Sequence, residues 1–549
     1  MYVCNRKLAN ELSHSSFLIV NSNNHMNRIY HFLKNKNMNP SSNKWTGLLI
    51  FIGLGVSSTI WFLVRVIPKP SRAAYPCVQA AAPFMSTFVI YLISLWGGCK
   101  AFSKSNRLLQ QGKYGLAACF VLAGLIFGLV FTFNNAKDMY ANIVEAKKTA
   151  AVFMLPPNSP QGEAKGIFPG RVAWVYAPNT ATWDEQTGFW FEDRWNNQNN
   201  CDRMMQQSLL ALTGKTNEKE AWTALFSHFN KSKGKQTMTY QSGEKIAIKI
   251  NQNNTYSHED TEELNASPHL TLSLLRSLVV GAGVPQENIT VMEPSRYITD
   301  FIFKKCVTAF PRVKYVDNSG GEGRTKSTYI AGAMKYSADN GKLATGMVTC
   351  LAEADYVINF AILKGHVGQG VTLCGKNWYG ITDIHPDWRK NAHDNFNQNR
   401  RGNAQYMTFV DFMGHQYTGE KTFLYLIDGL YGSELVNGKP SGKWKLTPFN
   451  DDWPNSLFAS QDPVAVDAVG LDFLSSEWPA MVDVNYADMY MLEAALANNP
   501  PSKTVYDPEK DGVRLKSLGV VEHWNNPVDK KYSRNLGKNE GIELVFKSL

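Results

Sequence analysis

The sequence predicts an α/β fold: a mostly parallel sheet with helices on both faces, preceded by three transmembrane helices. Three observations carry this reading. Short apolar runs alternate with longer amphipathic ones through the C-terminal part of the chain, the rhythm of βαβ units. Several of those runs end in polar residues, as strands do where an open sheet builds a ligand site. Near the N-terminus, Trp45–Val64, Ala73–Cys99 and Tyr114–Ala136 contain no charged residue. Each is long enough for a hydrocarbon core, which needs roughly 20 apolar residues.

The order along the chain follows. Residues 1–44 are a basic tail, 45–136 the three-span region, and 137–170 a helical stalk followed by the Pro/Gly-rich linker LPPNSPQGEAKGIFPG. Residues 171–549 form the α/β domain. RVAWVYAP, from Arg171, opens it with a strand, and Met204–Leu212 is helical. Lys245–Ile250 (KIAIKI) alternates with period two and reads as a strand. Pro268–Ala282 is an amphipathic helix with proline in its first turn and Gly283 near its end. A strand Ile289–Met292, a helix Tyr297–Ala309 and a strand Val313–Val316 come next. Tyr356–Phe360 is a buried strand, Thr422–Ile427 (TFLYLI) another, and Pro463–Trp478 a helix.

The net charge of +9 is unevenly spread. Residues 1–148 hold the basic excess, and the remainder is mildly acidic. That argues against nucleic acid as a partner, because such a domain carries its own basic footprint. The membrane is the expected partner of the N-terminal region. The tail (Arg6, Lys7, Arg28, Lys34, Lys36, Lys44) and the loop after the second span (Lys100, Lys104, Arg107, Lys113) outweigh the basic residues of the other side. The positive-inside rule then puts the tail in the cytoplasm and the α/β domain on the extracytoplasmic, periplasmic side of the inner membrane. The first span begins too far in for a cleavable signal.

Cys201, Cys306, Cys350 and Cys374 of the large domain form no Cys-x-x-Cys pair, so a cysteine cluster for iron–sulfur is not visible. Buried free thiols are the favoured state. His385, His393 and His415 are spaced too widely for a helical zinc pair. The run DPEKDG (507–512) has acidic residues and a glycine like the start of a calcium loop, but Leu518 stands where the bidentate glutamate belongs. A polar turn is the better reading.

The most informative segment is ADYVINFAILKGHVGQGVTLCGKNWYGI (354–381). An apolar run stops at Lys364-Gly365-His366, and a glycine-rich loop leads to Lys376-Asn377 and Gly380. KIAIKI presents Lys249 and then Asn251, and TFLYLI ends at Asp428. Brought together beyond the strand ends, these groups make a pocket for a small anionic ligand, such as a carboxylate or phosphate. Lys249, Lys364 and Lys376 would hold charge, and His366 would act as acid/base or as a metal ligand. Alternatively, His366 with Asp428 would hold a metal, a weaker reading because two scattered ligands specify none. Lys364 and His366 are the candidate catalytic residues. Asp462, before Pro463, reads first as a helix N-cap. Asp467, among the apolar residues of VAVDAVG, either orients a site lysine or is structural.

These motifs resemble, in order, the family called domain of unknown function 362, in the membrane-anchored form seen in Bacteroidetes. The matching pieces are IAIKINQN, PHLTLSLLRSLVVGAG, ENITVMEPSR, the 354–381 block, LIDGLYGSE and SLFASQDPVAVDAVGLDFL, over roughly residues 170–549. The resemblance implies an α/β fold and the importance of Lys249, Asn251, Lys364, His366, Lys376, Asn377, Asp462 and Asp467. It implies no reaction. Many relatives carry ferredoxin-type cysteine clusters, which this chain lacks, so the cofactor stays unknown. Where the family has threonine between the lysine and the histidine, this chain has Gly365. Two functions follow: an extracytoplasmic ligand-binding or catalytic domain, or a non-catalytic component of a membrane redox or envelope complex, in which the small residues of GLLIFIGLGVSS permit close helix packing.

Overall fold

The computed structural model describes residues 155–237, 239–342, 344–366, 370–383, 406–479 and 487–549, with a few isolated positions between 59 and 111. By internal contacts the chain divides into residues 1–147 and 148–549. The three uncharged stretches, apart from isolated positions, and His385 and His393 lie outside the described residues. Among the described residues no helix is long and apolar enough to cross a membrane.

The second unit is built on one mixed sheet. In chain order its strands and main helices are β1 (Arg171–Tyr176), α1 (Gln198–Thr213), α2 (Glu218–Ser232), β2 (Ile246–Lys249), α3 (Pro268–Arg276), β3 (Ile289–Glu293), α4 (Asp300–Ala309), β4 (Lys314–Asp317) and β5 (Thr325–Lys326). A separate antiparallel pair follows, β6 (Tyr329–Lys335) and β7 (Ala344–Val348). Then come β8 (Tyr356–His366), β9 (Gly370–Thr372), α5 (Cys374–Asn377), α6 (Thr408–Gly414), β10 (Thr422–Ser433), β11 (Ser456–Ser460), α7 (Pro463–Glu477), α8 (Asp488–Ala495) and β12 (Glu543–Ser548).

The sheet order is β12-β1-β11-β10-β8-β2-β3-β4-β5, with β9 folded back on β8. The run β10-β8-β2-β3-β4-β5 is parallel throughout, and β12 is parallel to β1. Only β11, between β10 and β1, and the short β9 run antiparallel. Strands covered on both faces read as continuous apolar runs. In β8, Tyr356, Ile358, Phe360 and Ile362 pack into the core under α1–α4. Val357, Ala361 and Leu363 pack into the core under α5–α8. The alternation in KIAIKI therefore sorts two buried faces, and all four residues of β2 are buried.

Two strands are longer than their sequence suggested. β8 continues through Lys364, Gly365 and His366, because β9 returns to pair Thr372, Val371 and Gly370 with them. β10 continues past Asp428, which pairs with Leu457 of β11. The 155–170 stretch is packed against the C-terminal segment, pairing Gln161 with Val521 and Gly162 with Val520. Asp507 accepts the backbone N–H groups of Asp511 and Gly512, so DPEKDG is a polar turn. The four cysteines of this unit are free.

Candidate functional site

The carboxyl edge of the parallel strands carries the polar groups. β2 ends at Lys249, whose Cα is in register with Asn359 of β8. Lys249 is fully buried. Its ammonium donates to Ile250 O (2.7 Å), Glu293 Oε2 (3.0 Å) and Asn377 Oδ1 (3.3 Å). Burial pushes its pKa down from the usual lysine range, and the Glu293 carboxylate partly offsets this. Glu293, at the end of β3, also accepts the N–H of Gln252.

Asn377 uses both ends of its amide. Its Nδ2 donates to Lys249 O (3.1 Å) and Asn359 Oδ1 (2.8 Å), and its Oδ1 accepts from Lys249 and from Asn251 Nδ2 (3.2 Å). Asn359 in turn donates to Cys374 O. This closed network joins β2 and β8 to α5.

Asp467 fixes α5 from the other side. From the middle of α7, its carboxylate accepts the N–H groups of Cys374 (2.8 Å) and Gly375 (2.7 Å) and the Tyr490 hydroxyl (2.8 Å). A Cβ on Gly375 would meet the Tyr490 ring at 2.7 Å, so only glycine fits there. Asp467 is thus the anchor of the helix that presents Lys376 and Asn377. Gly380 holds φ +103, and a Cβ there would meet Ser295 Oγ at 2.3 Å. This close approach brings the chain after α5 against the loop that follows β3.

Lys376 is 5% exposed, and its Nζ lies 4.5 Å from the centre of the Tyr379 ring. Burial, and then the positive charges of Lys249 and Lys364, push its pKa down to about 7. Arg296 acts in the same direction, and Glu293 opposes it. Lys364 is fully buried on the opposite face of β8, where its ammonium donates to Leu264 O (2.8 Å) and Val436 O (3.1 Å). It ties together the loops that follow β2 and β10. Burial pushes its pKa down to about 7 as well, with Glu263 acting against it.

The remaining expected residues take other positions. His366 closes β8, opposite Gly370, and is partly exposed. Asp428 accepts the N–H groups of Ser267 (2.7 Å) and Leu430 (3.1 Å). It docks the start of α3, whose N-cap is Ser267, and burial lifts its pKa to about 6. Asp462 is the N-cap of α7, accepting from Val464 and Ala465 and also from the N–H groups of Lys165 and Val520. Because β11 runs antiparallel, Asp462 sits at the amino edge of the parallel strands, away from the lysines. Among the described residues no group of three His, Cys, Asp or Glu side chains is arranged to hold a metal.

Sequence reasoning missed Glu293, Asn359 and Arg296. Asn359 was the legible one: an amide inside the apolar run YVINFAIL, level with Lys249. Nothing local distinguished Glu293, whose part depends on Lys249 of the neighbouring strand.

A cavity of about 820 Å³ opens at the amino edge, lined among others by Lys165, Gln461, Pro463, Tyr425, Arg514 and Lys516. None of the expected site residues lines it.

No curated protein and no solved structure matches the chain at a significant level. Residues 246–472 match the family model described as Domain of unknown function (DUF362). That stretch is shorter than the 170–549 over which the motifs suggested the resemblance, yet it contains every residue of the lysine cluster, and the match supports the family.

Proposed function

We propose that the 148–549 unit binds a small anionic ligand at the carboxyl edge of its parallel strands. In this reading Lys249, Lys364, Lys376 and Arg296 supply the positive charge. One observation carries it: Lys376 is buried among the positive charges of Lys249, Lys364 and Arg296, with Glu293 the carboxylate that opposes them there. Buried charge without counter-charge is costly, and an anion entering between these groups relieves that cost. The asparagines hold the framework, and Asp467 positions α5 within it.

We further propose that the chain is the membrane-anchored form of its family, with this unit outside the cytoplasm. The three uncharged stretches and the distribution of their flanking lysines and arginines support this. A reporter fused after Leu549 tests it: an extracytoplasmic signal is expected, and a cytoplasmic one overturns the orientation.

For the site, the full chain in mild detergent is melted with inorganic phosphate, pyruvate or glycerol. The anions are expected to raise the midpoint, glycerol is not, and Lys249→Gln and Lys376→Gln are expected to reduce the rise. Equal stabilisation of wild type and both variants by the anions overturns the site.

A further inference from the structure

We propose that Lys376 condenses with the carbonyl group of a small oxo acid, forming an imine, while Lys249, bonded to the adjoining Asn377, lies on the side of the acid's carboxylate. This rests on the anion-site reading above and names the ligand class.

The three lysines differ in what their nitrogens do. Lys249 directs its ammonium at three acceptors, one of them a carboxylate. Lys364 directs its ammonium at two backbone carbonyls. Lys376 is also buried, yet its ammonium makes no hydrogen bond or ion pair with another described residue and rests on the face of Tyr379. Its electrostatic neighbours are Lys249, Lys364 and Arg296, which disfavour its charge, against Glu293, which favours it. A desolvated amine beside other cations gives up its proton readily near neutral pH, and the neutral amine is a nucleophile. The same neighbouring cations attract a carboxylate, so an acid bearing a carbonyl satisfies both halves of the cluster. Asp467 and Asn377 hold the helix that presents the amine.

The chemistry balances without an oxidant or reductant. The Lys376 lone pair adds to the carbonyl carbon and forms a C–N bond. A proton passes from nitrogen to the former carbonyl oxygen, giving a carbinolamine. The C–O bond then breaks, water leaves, and a C=N bond remains.

The test is reductive trapping. The full chain in mild detergent is incubated near neutral pH with glyoxylate, pyruvate or 2-oxoglutarate and sodium cyanoborohydride, then mapped by peptide mass spectrometry. At least one acid is expected to leave its reduced adduct on Lys376 about tenfold or more above the exposed Lys503 and Lys547. Lys376→Arg removes the nucleophilic amine and is expected to lose the adduct. No adduct from any of the three acids, or uniform labelling of all lysines, overturns the proposal, and the wild-type pattern alone decides this if the variant fails to fold. Phosphate stabilisation without an adduct leaves the anion site standing and removes the imine. An adduct without anion stabilisation overturns the carboxylate-holding half.

Discussion

Replacing Lys376 by methionine should change how the stability of this protein depends on pH. In the folded chain Lys376 titrates at about 7, against 10.5 for an ordinary lysine. Between those values the folded state binds fewer protons than the unfolded state, so stability rises with pH through that window. The contribution is fully present above the unfolded value and is lost as pH falls toward 7. From about pH 9 down to about pH 7 one such lysine removes about 2 kcal/mol. Lys364, which also titrates at about 7, adds a loss of the same order, so the wild type should lose about 4 kcal/mol over that interval. Methionine fills a similar volume and carries no proton, so Lys376→Met should halve the loss, whatever its effect on absolute stability. Urea unfolding of the full chain in mild detergent, followed by tryptophan fluorescence at the two pH values, measures the difference. The same pH dependence in wild type and variant would refute the claim that Lys376 is desolvated among cations. Saturating phosphate should flatten the wild-type dependence, because a bound anion restores the lysines' protons.

Three further perturbations follow from the same framework. Glu293→Gln removes the carboxylate paired with Lys249 and should cost about 3–5 kcal/mol in urea unfolding, while increasing stabilisation by phosphate because the cluster becomes more positive; weaker stabilisation by phosphate would contradict the charge argument. Gly380→Ala forces a Cβ onto Ser295 Oγ at φ +103 and should cost about 1–3 kcal/mol, measured as a lower unfolding midpoint; an unchanged midpoint would mean that the loop after β3 yields freely. Asp467→Asn leaves one of its two oxygens to serve Cys374, Gly375 and Tyr490, which should cost about 1.5–3 kcal/mol and weaken phosphate stabilisation by loosening α5. Unchanged phosphate binding in a destabilised Asp467→Asn protein would separate α5 from the site.

How far the site was legible depended on whether its causes were local. The strands IAIK and YVINFAIL announce themselves by apolar runs, and Lys249, Lys364 and Lys376 stand out where those runs meet polar residues. The capping role of Asp462 was equally local, since Asp-Pro before an apolar helix is an N-cap pattern. What escaped were consequences of pairing. The return of β9 carries Lys364 into the ladder, and no residue within β8 signals it. Ser456–Ser460 is a short strand without alternation, and its antiparallel insertion puts Asp462 at the opposite edge from the lysines. Asp428 looked like a strand-end ligand, yet its carboxylate is taken by the N–H groups of Ser267 and Leu430, partners remote or unmarked in the sequence.

The two edges of the sheet offer different kinds of candidate, and chemistry separates them. The amino edge has an open cavity, but its charged lining is mixed: it holds Lys165, Lys233, Arg514 and Lys516 with Glu420, Glu509 and Asp511, and Lys233 is paired with Glu420. Such a lining is close to neutral, so it selects no particular charge in a ligand. At the carboxyl edge the protein holds lysines out of water, draws two of them down to about 7, and supports them with asparagines whose amides are committed to the framework. An arrangement that costs stability at neutral pH and is built from three strands and a dedicated short helix needs a compensating interaction. The proposed anion would supply it, and the pH dependence of the Lys376→Met protein measures how much the buried amine costs without one.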